Sequence, residues 1–172
     1  MTLAATTPAD VGGITLLPAV RPPVLVPPLS FSQVAHGVYR SGYPNAKNFP
    51  FLLKLGLRSI VYLDPEDYAP ANRAFLEENG IELHQFAIKG NKEPFTEIAE
   101  ADIARVLAVI ENPANQPVLV HCLKGKHRVG CIVGCLRKQQ RWSMTAIFGE
   151  YRRFAGEKIR IADQECIEMF GE

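Results

Sequence analysis

The stretch His121-Cys122-Leu123-Lys124-Gly125-Lys126-His127-Arg128-Val129-Gly130-Cys131 decides the fold. It follows the apolar run Pro117-Val118-Leu119-Val120, which has the length of a buried strand, and leads into Ile132-Val133-Gly134-Cys135-Leu136, the opening of a buried helix. Cys122 therefore falls at a strand-to-helix turn. The first amides of a helix have no intrahelical acceptor and carry the positive end of its dipole, so such a turn both binds an anion and stabilises a thiolate.

Gly125 permits the tight turn that wraps backbone amides around an anion, and Arg128, six residues after Cys122, offers a planar fork matched to phosphate oxygens. Lys124, Lys126, His127 and Arg128 crowd positive charge around the sulfur. Thiols in such surroundings ionise near neutral pH and become nucleophiles, here toward phosphorus. A cysteine after a strand is more commonly an inert, buried apolar residue. The Gly and Arg at fixed offsets, the cations and the flanking strand and helix set Cys122 apart. Cys131 and Cys135 are four apart on one apolar helix face and read as core packing, so no metal or other cofactor is assigned.

The pattern His-Cys-x5-Arg at this junction resembles the signature of the cysteine-dependent protein tyrosine phosphatase superfamily. The longer string Gly125-Lys126-His127-Arg128-Val129-Gly130-Cys131, followed by Val133-Gly134-Cys135-Leu136-Arg137-Lys138, is similar to a narrower branch, the plant and fungal atypical dual-specificity phosphatases. Gly37-Val38-Tyr39-Arg40-Ser41-Gly42-Tyr43-Pro44, Gly90-Asn91-Lys92-Glu93-Pro94-Phe95 and Ile147-Phe148-Gly149-Glu150-Tyr151-Arg152-Arg153-Phe154 agree with that branch, so the resemblance spans about residues 31 to 170. It implies a phosphatase-like α/β fold and a phosphocysteine intermediate. It also implies a phosphorylated partner: an inositol pyrophosphate cleaved at its β-phosphate, or a phosphoprotein or other phosphoester.

Members of the superfamily usually protonate the leaving oxygen with an Asp on a loop upstream of the cysteine. The corresponding window, Lys89-Gly90-Asn91-Lys92-Glu93-Pro94-Phe95, holds no Asp. Its carboxylate, Glu93, reads either as a general acid or as a surface or substrate-orienting residue. A phosphate leaving group departs as a weak base and needs less proton donation, so a missing acid agrees with diphosphate cleavage. The expected substrate contacts are Lys124, Gly125 and Arg128 around the reacting phosphate, with Lys89, Asn91, Lys92, Lys126 and His127 on neighbouring phosphates. His121 is expected to hydrogen-bond within the loop and tune the thiolate rather than act as a base. The alternative function is a phosphate-ligand sensor with weak or no turnover. Sulfur transfer and arsenate reduction fit the spacing and position of the motif less well.

The rest of the chain sets limits. Its 172 residues fit one domain able to bury about two-thirds of its unfolded surface. A net charge of +1 opposes bulk nucleic-acid binding, which draws on a strong basic excess. Four cysteines without framework spacing point to a reducing compartment, hence a cytoplasmic or nuclear location. No run approaches the ~18 apolar residues of a membrane span, and no secretory leader is evident. Residues 1–30, with Pro8, Pro18, Pro22-Pro23 and Pro27-Pro28, read as an extended tail before a phosphatase domain at 31–172. Oligomeric state is not encoded in any of these features.

Within the domain, the patterns predict strands at 37–40, 57–63, 81–88 and 117–120 and helices at 45–55, 69–79, 97–111, 128–140, 143–154 and 162–170. Asn45 and Thr96 are the expected N-caps of the first and third helices. Trp142, Phe148, Tyr151 and Phe154 read as core anchors. Strands alternating with helices predict a mainly parallel sheet flanked by helices, with ligands at the carboxyl ends of the strands.

Val129 stands where the superfamily usually has Ser or Thr. A hydroxyl there donates to the thiolate and helps sulfur leave when water breaks the phosphocysteine, whereas Val offers only methyls. Val129→Thr should therefore raise turnover and shrink any burst of product in pre-steady-state assays. Unchanged turnover and burst would contradict this account.

Overall fold

Short apolar runs bounded by turn residues form the strands, and amphipathic segments between them form the helices. The computed structural model describes residues 24–90 and 98–171. In chain order these form β1 (Ser32–Ala35), β2 (Val38–Ser41), α1 (Phe49–Leu55), β3 (Ser59–Tyr62), α2 (Pro70–Glu78) and β4 (Glu82–Gln85). They continue as α3 (Glu100–Glu111), β5 (Val118–His121), α4 (His127–Gln139), α5 (Met144–Ala155) and α6 (Ile161–Met169).

The sheet order is β1-β2-β5-β3-β4, with β1 antiparallel to β2 and every other pair parallel. This is the expected helix-flanked, mainly parallel sheet. β5 is central, and His121 pairs with Ser41 on one side and Tyr62 on the other. Three strands thus end at one level, and the loops that follow them meet there.

The central strands are buried on both faces and therefore read as continuous apolar runs. Alternation sorts their side chains: Ile60, Tyr62 and Leu119 enter a core with Leu52, Phe75 and Leu76 of α1 and α2. Val61, Leu63, Val118 and Val120 enter the other, with Ile103, Leu107, Ile132 and Ile147 from α3, α4 and α5. Cys122 continues that second series.

Several local expectations change. β1 was not expected; it forms a short hairpin edge through Gly37. The helix expected at 45–55 is a 3-10 turn, Ala46–Asn48, followed by α1, because Asn45 and Asn48 form a reciprocal capping box that closes the first turn separately. α3 begins at Glu100 with Ala99 as its uncapped N-cap, while Thr96 and Glu97 lie outside the described residues. Trp142 is no core anchor: it is 45% exposed and lies against the Arg137 guanidinium, 4.0 Å from its ring centre. Tyr151 is buried, Phe148 packs on the core edge, and Phe154 is half-buried. Upstream of the boundary expected at residue 30, Leu29 O accepts from Gly42 N at 2.7 Å and Val26 O from Asn48 Nδ2 at 3.1 Å. Among the described residues, no helix is long and apolar enough to cross a membrane.

α4 is held against α6 by a close approach at Gly134, where an added Cβ would lie 2.7 Å from Ile167 Cγ1 and closer still to its Cδ1. Gly134→Ala should destabilise the fold by about 1–3 kcal/mol in urea titrations, through overpacking. Adding Ile167→Val, which removes Cδ1, should restore part of that loss. No recovery in the double variant would contradict this packing account.

Candidate active site

Cys122 follows the last residue of β5 and is 3% exposed. The turn after it enters α4, whose N-cap Lys126 makes no side-chain cap, leaving the first amides of the helix without a side-chain acceptor. Gly125 makes the turn possible. Its φ is +67°, and a Cβ there would meet Gly42 N at 2.5 Å and Ser41 C at 2.6 Å, so the loop lies directly on the end of β2. From below, Arg40 Nη2 donates to Gly125 O at 2.9 Å.

Arg40 is a site residue that the sequence reading left without a role. It is 1% exposed, stacked over the Phe154 ring at 3.6 Å. Burial lowers its pKa to about 10, opposed by the negative charges available at Glu150 and Cys122. It remains a cation at neutral pH and brings positive charge beneath the cysteine.

Strand alternation puts His121 and Cys122 on opposite faces of the sheet. The His121 ring lies among Tyr62, Tyr43 and Tyr68, with centroids 5.1, 5.3 and 5.6 Å away. His121 Nδ1 faces Cys122 O at 3.5 Å, an oxygen that can only accept, so the ring proton is assigned to Nδ1. Nε2 then accepts from the Tyr68 hydroxyl at 3.1 Å, and burial raises the pKa of that phenol. Burial pushes the imidazole down to about 3. It is therefore neutral at physiological pH and meets the cysteine through its carbonyl, not its sulfur.

Arg128 is anchored by two loops. It forms an ion pair with Asp64, just beyond β3, and Nη1 donates to Ile88 O at 3.1 Å, beyond β4. His127 Nδ1 lies 2.8 Å from Asp163 Oδ2 on α6, an oxygen that also accepts from Tyr151 at 2.7 Å. The carboxylate thereby fixes the tautomer and orientation of a loop imidazole. Lys126 Nζ donates to Ala155 O at 3.3 Å, which places its ammonium at the end of α5. Lys124 and Lys89 are exposed. Asn91, Lys92 and Glu93 lie outside the described residues.

A cleft of about 420 Å³ opens at this edge, lined by Asp64, Glu66, Lys89, Gly90, Leu123 and Arg128. A second, of about 270 Å³, lies between α3 and α6, where Glu100 and Glu165 face otherwise apolar walls and would repel an anion. The first cleft adjoins the loop that carries Cys122 and offers the Arg128 guanidinium and the Lys89 ammonium to an anion. Asp64, Arg40 and Asp163 are the residues that sequence reasoning missed. Asp64 alone carried a signal, since it follows an apolar run and so stands at the carboxyl end of a parallel strand.

Comparison with known proteins agrees with this geometry. The model of a family described as the tyrosine phosphatase family matches residues 25–172. Inositol diphosphatase DSP2 of Oryza sativa subsp. japonica is 57% identical over 147 residues, 86% of this chain and 72% of its own. Inositol diphosphatase SIW14 of Saccharomyces cerevisiae is 50% identical over 149 residues, 86% of this chain and 53% of its own. The solved catalytic core of Siw14 has a TM-score of 0.84 at 49% identity, covering 87% of this chain and 89% of that one.

The neutral His121 has a measurable consequence. In the unfolded chain the imidazole titrates near its ordinary 6.5, whereas burial holds the folded one at about 3. Between those values the unfolded state binds a proton that the folded state does not, so the stability contributed is full above about pH 6.5 and lost as pH falls toward 3. His121→Asn should lose melting temperature less steeply than wild type from about pH 7 to 4, whatever its stability at pH 7. Equal slopes would refute this assignment.

Proposed function

The chain belongs to the tyrosine phosphatase family, and from that membership we propose that it removes the β-phosphate of inositol pyrophosphates through a phosphocysteine intermediate. The observation that carries the reading is the loop itself: Cys122 follows the central strand, the turn after it leads into α4, whose N-cap makes no side-chain cap, and Arg128 in the first turn of α4 is anchored by Asp64. Relatives at 57% and 50% identity whose names specify inositol diphosphatase activity support the substrate class.

Cys122 Sγ attacks the terminal phosphorus; the S–P bond forms as the P–O bond to the bridging oxygen breaks. Arg128 and the α4 amides hold the non-bridging oxygens, where charge is concentrated in the transition state. The bridging oxygen leaves on the inositol phosphate as a weak base, so the step proceeds with little help from an acid such as Glu93. Water then attacks the phosphocysteine, the S–P bond breaks, and inorganic phosphate departs as the thiolate returns. Val129, fully buried behind the loop, gives that departing sulfur no hydroxyl to lean on. Phosphoproteins and simple phosphoesters are secondary substrates in this reading, because their leaving oxygens are stronger bases.

The test is phosphate release by wild type and Cys122→Ser from an inositol pyrophosphate, a phosphotyrosine peptide, p-nitrophenyl phosphate and a phosphoinositide. The variant should lose more than about a thousandfold in rate, or ~4 kcal/mol of transition-state stabilisation. The inositol pyrophosphate should be the best wild-type substrate. Full activity in the variant would remove the nucleophile assignment. Equal or faster turnover of the peptide would remove the substrate assignment, and retained binding without any release would establish a sensor.

A further inference from the structure

The guanidinium of Arg128 has two usable edges, and the described residues engage it at Nη1. Nη1 carries two protons. One goes to Ile88 O at 3.1 Å, and the same nitrogen forms the ion pair with Asp64 Oδ2. Among the described residues, Nε and Nη2 make no hydrogen bond. The Nε–Nη2 edge is the one that grips two oxygens of a phosphate in parallel.

Asp64 is built to hold that orientation. Its side chain is 4% exposed. Oδ1 accepts from Glu66 N at 3.1 Å, which fixes the carboxylate and leaves Oδ2 for Arg128. The loop that carries it is clamped in turn by Gln85 Nε2, which donates to Asp64 O at 3.0 Å and to Glu66 O at 2.8 Å. Gly90 closes on the other side, where even an added Cβ would lie 3.3 Å from Arg128 Cγ. The arginine is thus confined along its stem and at one terminal nitrogen, and its plane is set.

We propose that Asp64 is a positioning residue: its charge holds Nη1 of Arg128, which donates to the Ile88 carbonyl, and so presents the Nε–Nη2 edge to the phosphoryl group. The proposal rests on the phosphatase reading above. It has a second consequence, because the buried carboxylate offsets the charge of the guanidinium and weakens its hold on a free phosphate dianion.

Asp64→Asn keeps the shape of the side chain beside Nη1 and removes the charge. Asp64→Ala removes both. Steady-state kinetics on p-nitrophenyl phosphate, with inorganic phosphate as competitive inhibitor, separates these effects. For Asp64→Asn we expect kcat lower by about threefold, a smaller loss than in Asp64→Ala, with an unaltered pH-rate profile and inhibition by phosphate tighter by about three- to tenfold. For Asp64→Ala we expect kcat lower by about ten- to a hundredfold, the scale of a misplaced reacting group. Wild-type kcat in a folded Asp64→Ala protein would overturn the proposal. So would an Asp64→Asn protein that binds phosphate more weakly, or one that is as slow as Asp64→Ala and has lost a limb of the pH profile, the mark of a proton donor. Should Asp64→Ala fail to fold, Asp64→Asn decides by its phosphate inhibition and pH profile. Cys122→Ser, assayed alongside, separates the two readings: activity surviving there refutes the phosphatase mechanism, whereas an abolished Cys122→Ser beside an unaffected Asp64→Ala refutes the positioning role alone.

Discussion

The parallel pairing of β5 between β2 and β3 sets the rest of the site. Because His121 is level with both Ser41 and Tyr62, the three chains leave the sheet together and their next residues, Gly42, Leu63 and Cys122, must share a small space. Parallel strands all point their carboxyl ends the same way, so each crossover delivers another loop to this edge. Gly125 against the Ser41–Gly42 backbone is the tightest point of that convergence. A side chain there would force the loop off β2, and the amides, Cys122 and Arg128 would move with it.

Burial of charge is the second organising feature. The deep titratable side chains come with partners: Arg128 with Asp64, His127 with Asp163, Arg137 with Glu150. Arg40 differs, since its polar contact is a loop carbonyl and its flat face rests on Phe154. A buried guanidinium with no carboxylate in direct contact brings positive potential to the loop above it. Such potential favours a bound phosphate, and in a low-dielectric interior it acts at greater strength than the same charge in water. The positive field at this edge thus comes from beneath the loop as well as from the lysines along it.

These arrangements explain why some features were legible and others were not. Strand and helix types were readable because β3 and β5 are buried on both faces and α3 and α5 carry apolar stripes, signals that reside in local periodicity. Element ends were less so. Strands shortened to four residues where the sheet splayed into loops, and the 3-10 turn at Ala46–Asn48 depended on a reciprocal bond between two asparagines. Trp142 has helical spacing relative to the other aromatics, yet it sits in the turn before α5, outside the stripe that α5 buries.

By itself the chain determined the fold class, the position of the cysteine loop and the offset of its arginine, because each is a matter of spacing within a few residues of contiguous backbone. Tertiary structure alone decided which charges meet. Asp64 lies 64 positions before Arg128, Asp163 lies 36 after His127, and Arg40 reaches a loop 85 residues away. Nothing local marks such pairs, since a carboxylate's partner is chosen by where crossovers and helix packing bring it. The same reason separates His121 from the sulfur it adjoins in sequence: neighbours on a strand face opposite sides of the sheet.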